Sequence, residues 1–160
     1  MARRAAMAAS GRRKQARTSG EISAEDVDPD RLVELDRLME NLAAWTPGFA
    51  GAMLFRGEGV QPLVSLIASG EREATRRSIV RIATSTRAEI DLVEGGALGS
   101  FVDSVTSTTK GAAIVTRLND DLLVTVIEGR PANIADAWRA IATNRDGIQA
   151  VAAELVPGIN

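Results

Sequence analysis

The sequence predicts an α+β fold in which helices cover both faces of one antiparallel sheet. Three β-prone runs follow one another between residues 98 and 128 with only short connections, which is typical of an antiparallel meander. Segments with helical periodicity stand before, between and after the strands. The resulting order, αββαβββα, lacks the strand–helix–strand repetition of a parallel sheet and therefore favours a layered α+β domain.

The meander is centred on two nearly continuous apolar runs, Ala112 to Val115 and Leu122 to Ile127. The segment between them, Arg117 to Asp121, contains Asn and Asp, which tolerate the backbone conformations of a tight turn, so it predicts a hairpin. The Ser/Thr-rich run from Ser100 to Thr109, stopped by Lys110-Gly111, predicts a third strand. Strands without polar alternation are usually covered on both faces, so we expect helices above and below the sheet.

The first helix is predicted to begin at Asp28-Pro29, with Asp as N-cap and Pro in the first turn, and to end at Thr46-Pro47-Gly48. It should place one apolar stripe inward: Leu32, Leu35, Leu38 or Met39, Leu42 and Trp45.

Two strands are expected next, Phe49 to Phe55 and Val60 to Leu66, joined by a turn at Gly57-Glu58-Gly59. Pro62 cannot donate a ladder hydrogen bond, so the second of these strands should lie at an edge of the sheet.

The second helix is predicted from Glu71 to Glu94, with Gly95-Gly96 as its stop. Its apolar stripe is thin and carries small residues. Its arginines indicate either a solvated face or a face that binds a partner. The last helix, Asn133 to Leu155, should turn the following residues inward: Trp138, Ile141, Ala142, Ile148, Val151, Ala152 and Leu155.

The composition excludes several classes of chemistry. The chain has no Cys, no His and no Tyr, so disulfides, Cys/His zinc sites and His-dependent triads are impossible. The absence of Cys fits a reducing compartment, and we expect a cytoplasmic protein. No apolar run approaches the roughly 20 residues that a membrane helix needs, so membrane insertion is not expected.

Charge divides the chain into a basic tail and an acidic body. Residues 1–20 contain six basic side chains and no acid, which leaves 19 − 6 = 13 basic against 21 acidic residues in the remainder. We expect residues 1–28 to be a disordered tail, residues 29–156 the domain, and residues 157–160 a short C-terminal tail. The basic tail is interpreted first as a solvated segment. The alternatives are an arm that touches nucleic acid, membrane or an acidic partner, and a transit peptide.

We find no catalytic, cofactor or metal motif. The glycine-rich segment Gly95 to Gly99 follows a helix and precedes a strand, the reverse of a dinucleotide fingerprint, so helix capping is the better interpretation. Asp120 and Asp121 are expected to be hydrated turn residues that point apart. Asp103 shares a strand face with Phe101 and Val105, and is a buried acid or, better, an edge-strand charge that discourages aggregation.

Several local patterns resemble the roadblock family of dynein light chains and small-GTPase regulators. The matching pieces are the helix ending in Leu42-Ala-Ala-Trp-Thr-Pro-Gly48, the segment FAGAMLFRGEGVQPLVSL, a long arginine-bearing helix, and the strand pair GAAIVTRLNDDLLVTVIE. The family typically has an Asp-Gly-type turn where this chain has Gly57-Glu58-Gly59. The resemblance spans about residues 29–156, and longin and profilin-like domains share much of the layout.

The resemblance implies a five-stranded antiparallel sheet in the order 2-1-5-4-3, with the middle helix on one face and the terminal helices on the other. Family members commonly form homodimers through the edge strand and the middle helix. Carried onto this sequence, that implies the following candidate dimer contacts: Ile79, Ala83, Thr86, Ile90, Ser100, Val102, Ser104 and Thr106.

The resemblance also implies a non-enzymatic regulator or scaffold that binds a Ras-like small GTPase and positions its switch regions. Arg72, Arg76 and Arg77 are the candidate contacts with that partner, and no catalytic residue or cofactor is assigned. Two alternatives remain. One is a profilin-like sensor of a small ligand. The other is a nucleic-acid-associated protein that uses the basic tail, which the acidic body argues against.

Overall fold

The computed structural model describes residues 26–57, 59 and 61–155 of the chain. The predictions for residues 1–25, for Glu58 in the first turn, for Val60 at the start of the second strand, and for residues 156–160 lie outside this part. The described residues form three helices and five strands in the predicted order: α1 Pro29–Trp45, β1 Phe49–Arg56, β2 Pro62–Ile67, α2 Arg72–Glu94, β3 Asp103–Ser107, β4 Gly111–Leu118, β5 Asp121–Glu128 and α3 Ile134–Ala153.

The strands form one antiparallel sheet in the order β2-β1-β5-β4-β3, which confirms the predicted fold and strand order. β2 lies at an edge and begins at Pro62, as the proline required. β3 lies at the other edge. It is shorter than the predicted run, because Ser100 precedes it in a loop and Thr108 turns the chain, its Oγ1 accepting from the amides of Lys110 and Gly111.

The central hairpin turns where the sequence predicts. Leu118 on β4 stands opposite Asp121 on β5, so the turn consists of Asn119 and Asp120. Asn119 has φ 56°, the left-handed conformation that Asn tolerates better than most residues. The hairpin brings the two long apolar strands of the sheet side by side.

Helix α1 begins as predicted but buries a different residue at its end. The Asp28 carboxylate accepts from the amide of Asp30 at 3.0 Å, as an N-cap does. Leu35, Met39 and Leu42 are buried, yet Trp45 is 73% exposed, so its predicted inward position is wrong. The buried stripe continues instead to Thr46, whose hydroxyl donates to the carbonyl of Leu42 at 2.6 Å.

Helices α1 and α3 together cover one face of the sheet. The α3 prediction is wrong at Ala142, which is exposed. The buried stripe runs through Asn144 instead, whose side-chain amide donates to the carbonyl of Ala140 at 2.8 Å and so satisfies a buried polar group. Helix α2 alone covers the opposite face, packing on β1 and β5.

Gly48 connects α1 to β1 in a conformation that needs glycine. Its φ is +72°, and a Cβ there would collide with the carbonyl oxygen of Glu128. The carbonyl of Gly48 in turn accepts from the amide of Glu128 at 2.7 Å. This contact holds the end of α1 against the end of β5.

Candidate interaction surfaces

The free edge of β3 is the first candidate interaction surface. β3 pairs with β4 from Asp103 opposite Thr116 to Ser107 opposite Ala112, and with no other strand among the described residues. Its side chains are mostly exposed, including Val105 at 41%, and Val102 just before it is 52% exposed. Asp103 is exposed, which agrees with an edge-strand charge rather than a buried acid.

Three of the predicted contact residues at this edge lie on the same side of the sheet. Ser104 stands opposite Val115, which belongs to the core under α2. Side chains of cross-strand partners point to the same face of the sheet, and every second residue of a strand points to that face. Thr106, and Val102 directly before the strand, therefore lie on the same side as Ser104. Ser100 is exposed in the preceding loop. We call these four predicted residues the β3 margin: Ser100, Val102, Ser104 and Thr106.

The predicted contact residues on α2 divide differently. Ile79, Ala83 and Thr86 are buried against the chain's own sheet, at 0%, 1% and 4% exposure. Thr86 satisfies its hydroxyl by donating to the carbonyl of Ile82 at 2.8 Å. As the chain stands, these three side chains therefore offer almost no surface to a second copy. Ile90 is partly buried against the same core.

The surface that α2 does offer lies on its opposite side. Arg81 stands two positions from both Ile79 and Ala83, about 200° around the helix, and is exposed. The same geometry selects an exposed line of five residues, which we call the α2 outer stripe: Arg77, Arg81, Thr84, Ala88 and Leu92. Leu92 is 79% exposed. Arg72 and Arg76, the other predicted partner contacts, are exposed in the first two turns.

A cleft of about 1030 Å³ opens where the strands end beside the C-terminal halves of α2 and α3. Its wall contains Arg56, Arg117 and Arg145 together with Glu94, Asp120 and Asp121. Arg117 forms an ion pair with Glu94, and Arg145 donates to the carbonyl of Arg117 at 3.2 Å. The cations and acids of the wall are equal in number, so the cleft selects neither anions nor cations by net charge.

Asp121 lies in this wall, and the prediction that it is a hydrated turn residue is wrong. It is only 8% exposed. Arg56 approaches it with two nitrogens, Nε to Oδ1 and Nη2 to Oδ2, each at 3.3 Å, and also donates to the carbonyl of Ala152. Asp120 is exposed, so the two acids do point apart. The Arg56–Asp121 pair connects the end of the sheet to α3.

Burial determines the titration of Asp121. Loss of solvent raises the pKa of its carboxyl above the ordinary value, and the hydrogen bond and charge of Arg56 only partly oppose that rise. The sequence signal for this pair was Arg56 directly after an apolar strand and Asp121 directly before another. It becomes a contact only once β1 and β5 are known to be neighbours, with Arg56 opposite Asp121.

The described residues contain no group of three His, Cys, Asp or Glu side chains that could hold a metal ion. None of the helices within residues 26–155 combines the length and apolarity needed to cross a bilayer.

No protein-family model and no curated protein matches the chain. Solved structures do match it. MglB from Myxococcus xanthus is 14% identical, with a TM-score of 0.66 over 81% of this chain and 95% of its own. The gliding protein MglB from Thermus thermophilus is 18% identical, with a TM-score of 0.62 over 83% of this chain and 99% of its own.

A third match is a Roadblock/LC7 domain from Streptomyces avermitilis, 14% identical, with a TM-score of 0.61 over 74% of this chain and 97% of the domain. At these identities the likeness concerns the path of the backbone, and it spans nearly the whole of each matched structure. The sheet order found here and these matches agree with the resemblance that the sequence pattern indicated: the chain has the roadblock fold.

Proposed function

We propose that this chain is a non-enzymatic regulator or scaffold of a Ras-like small GTPase and that it acts as a homodimer in the cytoplasm. The observation that carries the proposal is the uneven cover of the sheet. On the α2 side, one helix packs over β1 and β5, while the β3 margin beside it stays exposed except at the half-buried Ser104. A second copy placed edge to edge would cover that margin and pair the free backbone of β3.

The roadblock fold supports the choice of partner, because several members of the family bind a Ras-like GTPase through the helix surface of the dimer. In this chain the N-terminal half of α2 is basic and exposed, with Arg72, Arg76 and Arg77 as the proposed contacts. The partner would supply its own catalytic groups, and the dimer would hold its switch segments in place.

The test has two stages, of which the first concerns the dimer. Light scattering across a concentration series should give twice the mass of the chain. Val102→Lys, which adds a charge at the β3 margin, should shift the mass towards the monomer without lowering the melting temperature measured in dilute samples, where wild type is also monomeric. Val33→Lys is the matched control, because Val33 is 67% exposed on α1, far from this edge in the fold. A wild-type chain that stays monomeric at every concentration would remove the dimer from the proposal.

The second stage concerns the GTPase. Each Ras-like GTPase of the source organism is loaded with GTP or GDP and mixed with the dimer, and co-elution and the rate of hydrolysis are measured. We expect one GTPase to bind in a nucleotide-dependent way. Arg72→Ala combined with Arg76→Ala should weaken that complex, whereas Arg37→Ala combined with Arg139→Ala, on α1 and α3, should not. Failure of all these GTPases to bind would contradict the proposed partner.

The cleft beside Arg56 favours a second candidate function, a sensor of a small ligand. Its volume of about 1030 Å³ is sufficient for a metabolite, and its wall offers both guanidinium and carboxylate groups. A thermal-shift screen of metabolites tests this candidate, because a ligand that binds only the folded chain must raise the melting temperature. A hit should be lost in Arg145→Ala, which leaves the Arg56–Asp121 pair intact.

A further inference from the structure

Charges along α2 are divided between a mainly basic N-terminal half and an acidic C-terminal end. Four arginines and one glutamate occupy its first ten positions, Arg72 to Arg81, and its last six positions hold Glu89, Asp91 and Glu94. The N-terminal end of a helix carries positive partial charge and favours acids, while the C-terminal end favours bases. The acids at the C-terminal end have the unfavourable sign, so helix formation does not account for them. The first turn contains Glu73, as the dipole favours, and three of the four arginines follow that turn.

The described part of the chain neutralises few of these charges. Glu94 pairs with Arg117, and Arg87 lies over the ring of Phe55 at 5.9 Å from its centroid. Within residues 26–57, 59 and 61–155, no ion pair involves the remaining exposed charges of the helix: Arg72, Glu73, Arg76, Arg77, Arg81, Glu89 and Asp91. A local rule broken without compensation inside the molecule is typical of a surface that serves binding.

The α2 outer stripe has a matching order. Arg77 and Arg81 occupy its N-terminal part, the small residues Thr84 and Ala88 its middle, and Leu92 its end. Small side chains allow two helices to approach closely. An antiparallel copy of the same helix, crossing at these small residues, would bring the acidic end of each helix beside the basic end of the other.

We propose that the charge order of α2 sets the register of self-recognition: Arg77 and Arg81 of one copy face Glu89 and Asp91 of a second copy of this chain. The inference rests on the proposed dimer and specifies how its two helices are aligned. A two-fold axis perpendicular to both β3 and α2 would make the two β3 edges and the two α2 helices antiparallel, so one symmetry operation could serve both contacts. In this register Arg77 contacts the second copy of the chain, so only Arg72 and Arg76 remain as proposed contacts with the GTPase.

The test is a charge exchange with the full chain. One variant combines Arg77→Glu with Arg81→Glu, and the other combines Glu89→Arg with Asp91→Arg. In low salt each variant alone should dimerise at least about tenfold more weakly than wild type, because opposite charges across the contact become like charges. An equimolar mixture should form mixed dimers, since one helix then carries only acids and the other only bases. High salt should reduce all these differences, because it screens exposed charges.

Arg37→Glu combined with Arg139→Glu is the matched control. It changes the net charge by the same amount at exposed positions on α1 and α3, and it should dimerise like wild type. Melting temperatures of dilute samples show whether each variant folds. The Arg77/Arg81 variant should melt close to wild type, because both side chains are exposed and have no ion-pair partner among the described residues.

The outcomes separate this inference from the proposed function. Wild-type dimers with variants that dimerise equally well, or a mixture without preference for mixed dimers, would overturn the charge register and leave the GTPase proposal intact. A wild-type chain that never dimerises would overturn both the register and the proposed dimer. Loss of GTPase binding in an Arg72/Arg76 variant that still dimerises concerns the partner alone.

Discussion

The two faces of the sheet are covered to different extents. On the α1–α3 face, 18 buried apolar residues of the described chain form one core, with Leu35, Ile114 and Ile141 fully enclosed. On the α2 face the corresponding core has eight. Two helices lying side by side cover the first face, whereas one helix covers the second and leaves the β3 margin exposed. The difference indicates that the first face contributes more to the stability of the chain, and it leaves the second as the face that a second copy would cover in the proposed dimer.

Adjacent leucines on β5 give the most direct test of this difference. Leu123 belongs to the core on the α1–α3 face and Leu122 to the core on the α2 face. Leu123→Ala should lower the free energy of unfolding by about 4 kcal/mol and Leu122→Ala by about 3 kcal/mol, because the smaller core can relax more around the cavity. Urea unfolding of dilute protein measures both. An equal or larger loss for Leu122→Ala would contradict the comparison.

The Arg56–Asp121 pair adds polar contacts to the α1–α3 side. Arg56→Met removes the partner of a nearly buried carboxylate and the donor to Ala152, and should cost about 2–3 kcal/mol of unfolding free energy. Adding Asp121→Asn should recover most of that loss, because no buried charge then lacks a partner. Urea unfolding of both variants measures the recovery. A double variant no more stable than Arg56→Met would show that the backbone contact to Ala152 dominates.

One exposed apolar residue on α1 and one on α2 allow the outer surfaces of these two helices to be compared by mutation. Trp45 on α1 is 73% exposed and Leu92 on α2 is 79% exposed. Trp45→Ala and Leu92→Ala should each change the stability of the dilute chain by less than about 0.5 kcal/mol. Only Leu92→Ala should weaken the dimer, by about tenfold, because only α2 faces the second copy in the proposed assembly. Equal dissociation constants for the two variants would argue that the outer side of α2 is not a contact surface.

The smallest expected effect is on pH dependence. Burial raises the pKa of Asp121 in the folded chain, so the folded state holds this proton more tightly than the unfolded chain does. The stabilising contribution of this group is therefore complete below the unfolded pKa of about 4 and is lost as the pH rises through the folded pKa. As the pH rises through the folded pKa of Asp121, the free energy of unfolding of Asp121→Asn should therefore increase relative to that of wild type. Urea unfolding at a series of pH values would show a constant difference if Asp121 titrated normally.

Local chemistry in the sequence was sufficient for much of the fold. Pro62 marked an edge strand, Asn119 marked the hairpin turn, and Asp28 marked the start of α1, because each of these depends only on neighbouring backbone. The Arg56–Asp121 pair could not be predicted in this way. It joins two strands that are distant in the chain, and the contact depends on the order of the strands in the sheet.

The sequence could not distinguish the side of α2 that packs on the chain's own sheet from the side that faces outward. A periodic apolar stripe indicates that one face is buried but not whether the chain itself or a partner buries it. Ile79, Ala83 and Thr86 fill the chain's own core, while Arg81 and Leu92 face outward. The charge order of α2 can be read from the sequence. It could be related to a contact with a second copy only after the structure showed which side of the helix is free of intramolecular packing.

Pro62 at the start of β2 bears on how large an assembly can become. If two copies join through their β3 edges, the combined sheet ends in two β2 strands, and each of these begins with a residue that has no amide hydrogen to donate. A contact between identical edges is self-complementary and leaves no free β3 strand after two copies have met. Polymerisation into a fibre would require β2 edges to pair as well, and proline weakens that pairing at its first residue. In the proposed assembly, growth of the sheet would therefore stop at two chains.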